Sequence, residues 1–267
     1  MPVRKRSSLV AWLMVGLSST GQVWSEEGLE VHYLVVDEKA GPFQIVEDNE
    51  SRGGIVSDVV DAIFAGTDYQ LIHQVLPVNR LRVHVQEKRV NQWVAFDAPV
   101  WNSFGPEGEM LAQPLFTTHH VLLTCRADLP ARITSIDQLE GLSVVMLRHF
   151  DYLAISEAGE TGHLQAVPVD RFEAGLNLVE LGRADGFVEM VSRIRYYLKA
   201  YPGEVDCFRE VDVSAIIPDY PIHLSVDTDW SEAFKSLVNE RLEALARNGE
   251  LDRIYRDYVP SELPSGR

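Results

Sequence analysis

Short apolar runs and helical stripes alternate along the chain once its first 25 residues are passed. Leu29 to Val36 alternates and then runs apolar, as a strand does, and Gly41-Pro42-Phe43 turns the chain into a short second extended segment, Phe43 to Val46. Ile55, Val59, Ile63 and Phe64 share one helical face after Gly53-Gly54, with Gly66 as the stop. Tyr69 to Leu76 reads as a strand. Pro77 opens a helix over Val78 to Glu87, with Leu81 and Val85 on one side, and Trp93 to Phe96 is a further strand. Strand, helix, strand, helix, strand is the rhythm of a largely parallel sheet with crossover helices.

Asp97 to Pro114 contains glycine and proline, carries Trp101 and Phe104, and shows no period, so a long loop is expected there. Val121 to Thr124 is a strand, and Ser135 to Gln138 has capping-box spacing for a short helix. Leu142 to Leu147, centred on Val144 and Val145, is a short apolar run of the kind a buried strand makes. Arg171 to Leu181 is helical, Gly186 to Val188 a brief strand and Val191 to Ala200 helical again, which lays down a second α/β unit. Pro218-Asp219-Tyr220-Pro221 is a break, and Ile222 to Val226 is the strand leaving it. Ser231 caps an amphipathic helix whose Phe234, Leu237, Val238, Leu242 and Leu245 form one stripe, stopped near Gly249. Leu251, Ile254, Tyr255 and Tyr258 continue as a shorter helix.

A chain of 267 residues can bury a substantial core and fits one large domain or two ordinary lobes. Residues 1–25 differ in kind: Arg4, Lys5 and Arg6 make a basic start, and Leu9 to Leu17 is an apolar run too short to span a bilayer. Val23-Trp24-Ser25 follows as a cleavage region, so the segment reads as a secretory signal peptide and the mature protein as exported, periplasmic and not inserted in the membrane. Its removal takes three basic residues and no acidic one, so the formal charge goes from −16 to −19. Such a surface repels nucleic acid and anionic membrane. Cys125 and Cys207 are the only cysteines, in a compartment that permits disulfides, and spacing leaves a bond and two buried thiols both open.

Polar chemistry begins where the Leu142 to Leu147 run ends, with Arg148, His149, Phe150, Asp151 and Tyr152. In open α/β sheets the crevice beyond the carboxyl ends of the strands holds ligands, which makes this a candidate pocket; an ordinary surface loop is the other reading. Arg148 and His149, ahead of a helix start, are candidates for holding an anion. His119 and His120 are strand neighbours that face opposite ways and cannot line one site together. No HExxH, paired-cysteine, nucleophile-elbow or phosphate-loop motif occurs, so neither a metal nor another cofactor is expected.

Three segments, "ITSIDQLEGLSVVML" from Ile133, "LVELGRADGFVEM" from Leu178 and "FKSLVNERLEALARNGELDRIYRDY" from Phe234, resemble in order and spacing the second half of the bacterial extracellular solute-binding proteins of the amino-acid type. Gly41-Pro42-Phe43 and Gly53 to Val60 are similar to that family's opening. The resemblance implies an α/β, type II periplasmic-binding-protein fold: two mixed sheets with flanking helices, joined by a two-strand hinge, with ligand in the cleft. By that mapping residues 26–116 with 222–267 form lobe 1 and 117–221 lobe 2, hinged near Thr117 to Val121 and near Pro218 to Ile222.

The family's carboxylate-clamping arginine is missing, because Asp97 to Phe116 contains none, and Met190 stands at one common position of its amine-binding acid, beside Glu189. A standard α-amino acid is therefore not the expected ligand. Phe43, Trp101 and Tyr152 are candidate aromatic walls. Arg80, at the start of its helix, is a candidate for the cleft or for a surface salt bridge, and Asp97 and Glu189 are candidate partners for a ligand amine. The expected function is capture of a small polar or charged solute, amino-acid-like or an organic acid, by a monomer that delivers it to an inner-membrane ABC permease. A dehydratase-type enzyme on this scaffold and a sensory or accessory protein for a receptor are the alternatives.

Overall fold

The computed structural model describes residues 29–37, 40–148, 150 and 152–264. The expected signal peptide and His149 lie outside them. The first half of the chain builds β1 (Glu30–Val36), a minimal hairpin of β2 (Val46–Glu47) and β3 (Glu50–Ser51), α1 (Ile55–Phe64), β4 (Gln70–Leu76), α2 (Val78–Gln86), β5 (Trp93–Asp97) and β6 (Gly108–Thr118). Then follow β7 (His120–Thr124), β8 (Ser143–Leu147), α3 (Leu153–Glu160), β9 (Gln165–Val169), α4 (Phe172–Glu180), β10 (Gly186–Met190), α5 (Val191–Leu198), β11 (Arg209–Asp212), β12 (Tyr220–Asp227), α6 (Glu232–Arg247) and α7 (Glu250–Tyr258).

These strands form two five-stranded sheets, ordered β4-β1-β5-β12-β6 and β11-β7-β10-β8-β9. Both are mixed: β1 runs parallel to β4 and β5 while β12 runs antiparallel to β5 and β6, and β8 runs parallel to β9 and β10 while β7 runs antiparallel to β10. Strand alternation explains why each sheet is covered on both faces. Val31, Tyr33 and Val35 of β1 join the core beneath α1, α6 and α7, and Leu34 between them joins the opposite one with Leu81 and Val85 of α2. In the second lobe Val144 and Met146 of β8 enter one cluster and Val145 and Leu147 the other. The C-terminal helices thus return to the first lobe.

Two connections cross between the lobes. His119 alone separates β6 of the first sheet from β7 of the second, and the chain comes back through β12, whose Tyr220 is the last partner of Thr118. Thr118 Oγ1 donates to the Tyr220 carbonyl at 3.0 Å, and His119 Nδ1 lies 2.7 Å from Asp219 Oδ2. Cys125 and Cys207 are bonded, which clips the end of β7 to the approach to β11.

Two expected elements differ. Phe43 to Val46 is a turn rather than a strand: Phe43 and Gln44 N–H groups both donate to the Ala40 carbonyl, and the buried Gln44 side chain bonds Val36 N–H, the Leu34 carbonyl and the Tyr33 hydroxyl. Only Val46–Glu47 is extended. The expected long loop after Asp97 ends early, in a 3-10 turn at Gly105–Glu107 that leads into the eleven-residue β6. Register shifts near Ile222 and His223 of its partner break the two-residue period there, so Leu111, Leu115 and Thr118 are buried at irregular spacing.

Candidate functional site

Where β8 ends, the chain turns through Arg148 into Tyr152, which stands at the N-cap of α3. Arg148 N–H donates to the Val169 carbonyl at 2.8 Å, and its exposed guanidinium donates from Nε to Asp170 at 2.9 Å, so the structure seats this arginine on the surface beside the β9–α4 turn. Tyr152 takes the opposite course. It is buried, and its hydroxyl donates to Glu189 Oε1 at 3.1 Å.

Glu189 sits one residue before the end of β10 with no exposed surface. Its Oε1 also accepts from Met190 N–H at 2.8 Å, while Oε2 has no hydrogen bond and lies 3.9 Å from Arg193 Nη1. That separation is too long for a hydrogen bond, so the pair is a charge contact between two buried groups. Arg193, in the first turn of α5, also lies over the Phe150 ring at 4.7 Å. Burial, reinforced by the Glu189 charge, pushes the Tyr152 hydroxyl well above the usual tyrosine range and keeps it a donor.

On the first lobe Asp97 closes β5 and is buried. Its Oδ1 accepts from Ala98 N–H at 2.8 Å and its Oδ2 from Ser103 N–H at 2.7 Å, so both oxygens hold the loop that carries Trp101. Trp101 meets Phe96 and Tyr220 edge-on at 6.0 and 5.8 Å. Phe43 is in the core, stacked on Phe116 at 5.2 Å and tilted against Phe96 at 6.2 Å. Arg80 is exposed on the first turn of α2.

The rings continue across the lobes. Tyr220 lies 5.5 Å from the His120 ring, and His120 lies 5.3 Å from Tyr152. His120 is 1% exposed and neither ring nitrogen has a hydrogen-bond partner. Burial lowers its pKa to about 4, with Asp219 opposing and His119 adding slightly to the shift. The Tyr220 hydroxyl is pushed up to about 12, mainly by burial.

Trp101, Tyr152 and Glu189 are thus brought to one seam between the lobes, and Phe43 reaches it through Phe96. Arg80 and Arg148 are on the surface. His120, Tyr220 and Arg193 are the seam residues that sequence reasoning missed. Arg193 follows Glu189 at helical spacing, and Tyr220 occupies the proline-flanked break, which are the signals that could have found them. The polar seam is packed shut. An opening of about 140 Å³ between the lobes lies elsewhere, lined by Ala40, Gly41, Gln44, Ile45, Val46, Tyr196 and Tyr197. Among the described residues no group of three or more potential metal ligands converges, and no helix is long and apolar enough to cross a membrane.

Two lobes of mixed sheet, two crossing connections and a buried polar seam between them define the type II periplasmic-binding-protein fold. Solved structures share it. The periplasmic VFT2 domain of Bordetella pertussis BvgS superposes with a TM-score of 0.62 at 21% identity, covering 88% of this chain and 95% of that one. The L-cystine solute receptor of Neisseria gonorrhoeae, in its unliganded open conformation, gives 0.63 at 18% identity over 87% and 94% of the two chains. The amino acid ABC transporter substrate-binding protein AbpA of Streptococcus pneumoniae, bound to L-arginine, gives 0.60 at 17% over 86% and 94%. No family model matches the chain, and no curated protein matches it.

Proposed function

We propose that the chain is an exported solute-binding protein that captures a small polar or charged molecule between its lobes and presents it to an inner-membrane ABC permease. The observation that carries this reading is the seam itself: Glu189, Tyr152 and Arg193 are charged or polar groups buried where two lobes meet, and burial of such groups is costly unless something recompenses it. Solved proteins of the fold that bind amino acids for ABC transport support it. The lobes run two residues differently from the expected 116/117 and 221/222 bounds, because β6 carries Thr117 and Thr118, and β12 carries Tyr220 and Pro221, into the first sheet. The first lobe takes residues 29–118 with 220–264, and the second takes those between His119 and Asp219. Opening at His119 and ahead of Tyr220 exposes the seam, a solute enters, and closure desolvates it against Trp101, Tyr152 and Glu189. Glu189 receives a donor group of the solute, Trp101 and Tyr152 cover its apolar part, and no reaction follows.

A thermal-shift screen of the mature protein against amino acids, polyamines, organic acids, small sugars and prephenate tests the proposal, because a solute that binds only the folded state raises the unfolding midpoint. A marked rise with one chemical class, without turnover of that compound, is the expected result. A flat response to every class would sink it, and consumption of prephenate would replace it with an enzyme.

A further inference from the structure

The segment that follows α7 makes a further passage between the lobes. Val259 is buried in the first-lobe core with Leu251 and Ile254 of α7, and Leu263, four residues on, packs against the second-lobe cluster of Phe172, Leu198 and Phe208. Between them the chain is held from α5 of the second lobe. Arg195 Nη1 donates to the Pro260 carbonyl at 3.3 Å and to the Ser261 carbonyl, and Lys199 Nζ donates to the Asp257 and Tyr258 carbonyls at 3.2 and 2.8 Å. Glu210 of β11 fixes the Arg195 guanidinium, accepting from Nε at 2.8 Å and from Nη2 at 2.6 Å, which leaves Nη1 for the segment.

Tyr258 ties both lobes through one residue. Its carbonyl is bonded to Lys199 of the second lobe, while its hydroxyl accepts from Gly54 N–H at 3.0 Å and donates to Asp58 at 2.7 Å, at the start of α1 in the first. Arg195 and Lys199 stand five and nine residues beyond Met190, the last residue of β10, and so about 7 and 13 Å along α5 from it. Hydrogen bonds weaken steeply once stretched or misaligned. Any rotation of the lobes that carries α5 away from α1 therefore breaks this set, because the Tyr258 hydroxyl keeps the segment with the first lobe. The Lys199 bonds are exposed and those of Arg195 partly so, which lets water replace them and makes the release reversible.

We propose that residues 257–263 are a latch, engaged by Arg195 and Lys199, which holds the two lobes shut and lets go when they part. The latch goes beyond solute capture. It places part of the preference for the shut arrangement on the contact between α5 and the segment after α7, away from any solute.

Small-angle scattering from the mature protein without added solute reads the latch directly. Ending the chain after Val259 in a Lys199→Met variant removes the contacts of Arg195, Lys199 and Leu263 with the segment. The expected radius of gyration is about 1 Å above wild type, against the roughly 18 Å of a compact chain of this length, with an unchanged far-ultraviolet circular dichroism spectrum. Lys199→Met in the full chain should move the radius the same way by less, and Lys199→Arg, which keeps a cationic donor, should hold the wild-type value. Should the shortened variant lose its circular dichroism, the two full-chain variants decide. A shortened variant with the wild-type radius, or Lys199→Arg as wide as Lys199→Met, overturns the latch. Solute capture is judged separately by the thermal screen, so either reading can fail without the other.

Discussion

Tyr152 and Glu189, 37 residues apart, are joined by a 3.1 Å hydrogen bond from hydroxyl to carboxylate that ties the turn after β8 to the end of β10. The carboxylate has no exposed surface, so no bulk water can replace that donor. Tyr152→Phe therefore leaves Glu189 Oε1 with Met190 N–H alone, and a loss of about 1–3 kcal/mol is expected from unmaking a bond to a buried charge. Denaturant unfolding with an unchanged slope checks it; a midpoint equal to wild type would show that the bond contributes nothing.

His120 gives the stability a pH dependence of known sign. Its folded pKa, about 4, lies below the ordinary 6.5 because burial penalises the charged form. Above 6.5 the ring is neutral in both states and contributes no slope. As pH falls from 6.5 to about 4 the unfolded chain takes up the proton first, and stability drops by about 3 kcal/mol before levelling off. The difference between wild type and His120→Phe, followed by unfolding across that window, should show this slope. Parallel curves would mean that the imidazole is not buried as a neutral group.

The Cys125–Cys207 bond closes a span of 82 residues within the second lobe. In the chain-entropy account such a closure stabilises by restricting the unfolded state, so replacing both cysteines with alanine should lower stability by about 2–5 kcal/mol. Denatured, unreduced protein should show no titratable thiol. Two thiols in that assay would exclude the bond.

Asp97→Ala removes the acceptor for both Ala98 and Ser103 N–H groups. Destabilisation of about 1–3 kcal/mol is expected, together with faster hydrogen exchange at those two amides as the Trp101 loop loosens. Protection equal to wild type at both amides would mean that Asp97 does not organise the loop.

Arg148→Ala is expected to change stability by less than about 1 kcal/mol, since its partner Asp170 shares an exposed position where solvent screens the pair. A larger loss in urea unfolding would show that this pair does more than a surface contact.

The strands legible in the sequence are mostly interior ones. β1, β5, β7, β8, β10 and β12 are covered on both faces, so their apolar runs are dense. β6, β9 and β11 escaped, and all three are sheet edges. An edge needs fewer buried positions and tolerates residues such as Pro114 and Pro168 that read as breaks. β4 is an edge that was nonetheless legible, because Leu71, Ile72, Val75 and Leu76 keep it apolar.

For the site the division is sharper. The leader-like start, the helical stripes, the turn of chemistry after Leu147 and the break around Tyr220 are written in neighbouring residues, where periodicity and composition suffice to read them. Which arginine is buried is not. Arg148 and Arg193 look alike as local sequence, but the first meets Asp170 in solvent and the second lies beside Glu189 within the seam. Likewise His119 and His120 are adjacent in sequence, yet one pairs with Asp219 at the surface and the other is enclosed by Tyr152 and Tyr220. Local pattern fixes which face of a strand a side chain takes. Only the packing of distant segments against that face decides whether the group meets water, a charge or an aromatic wall.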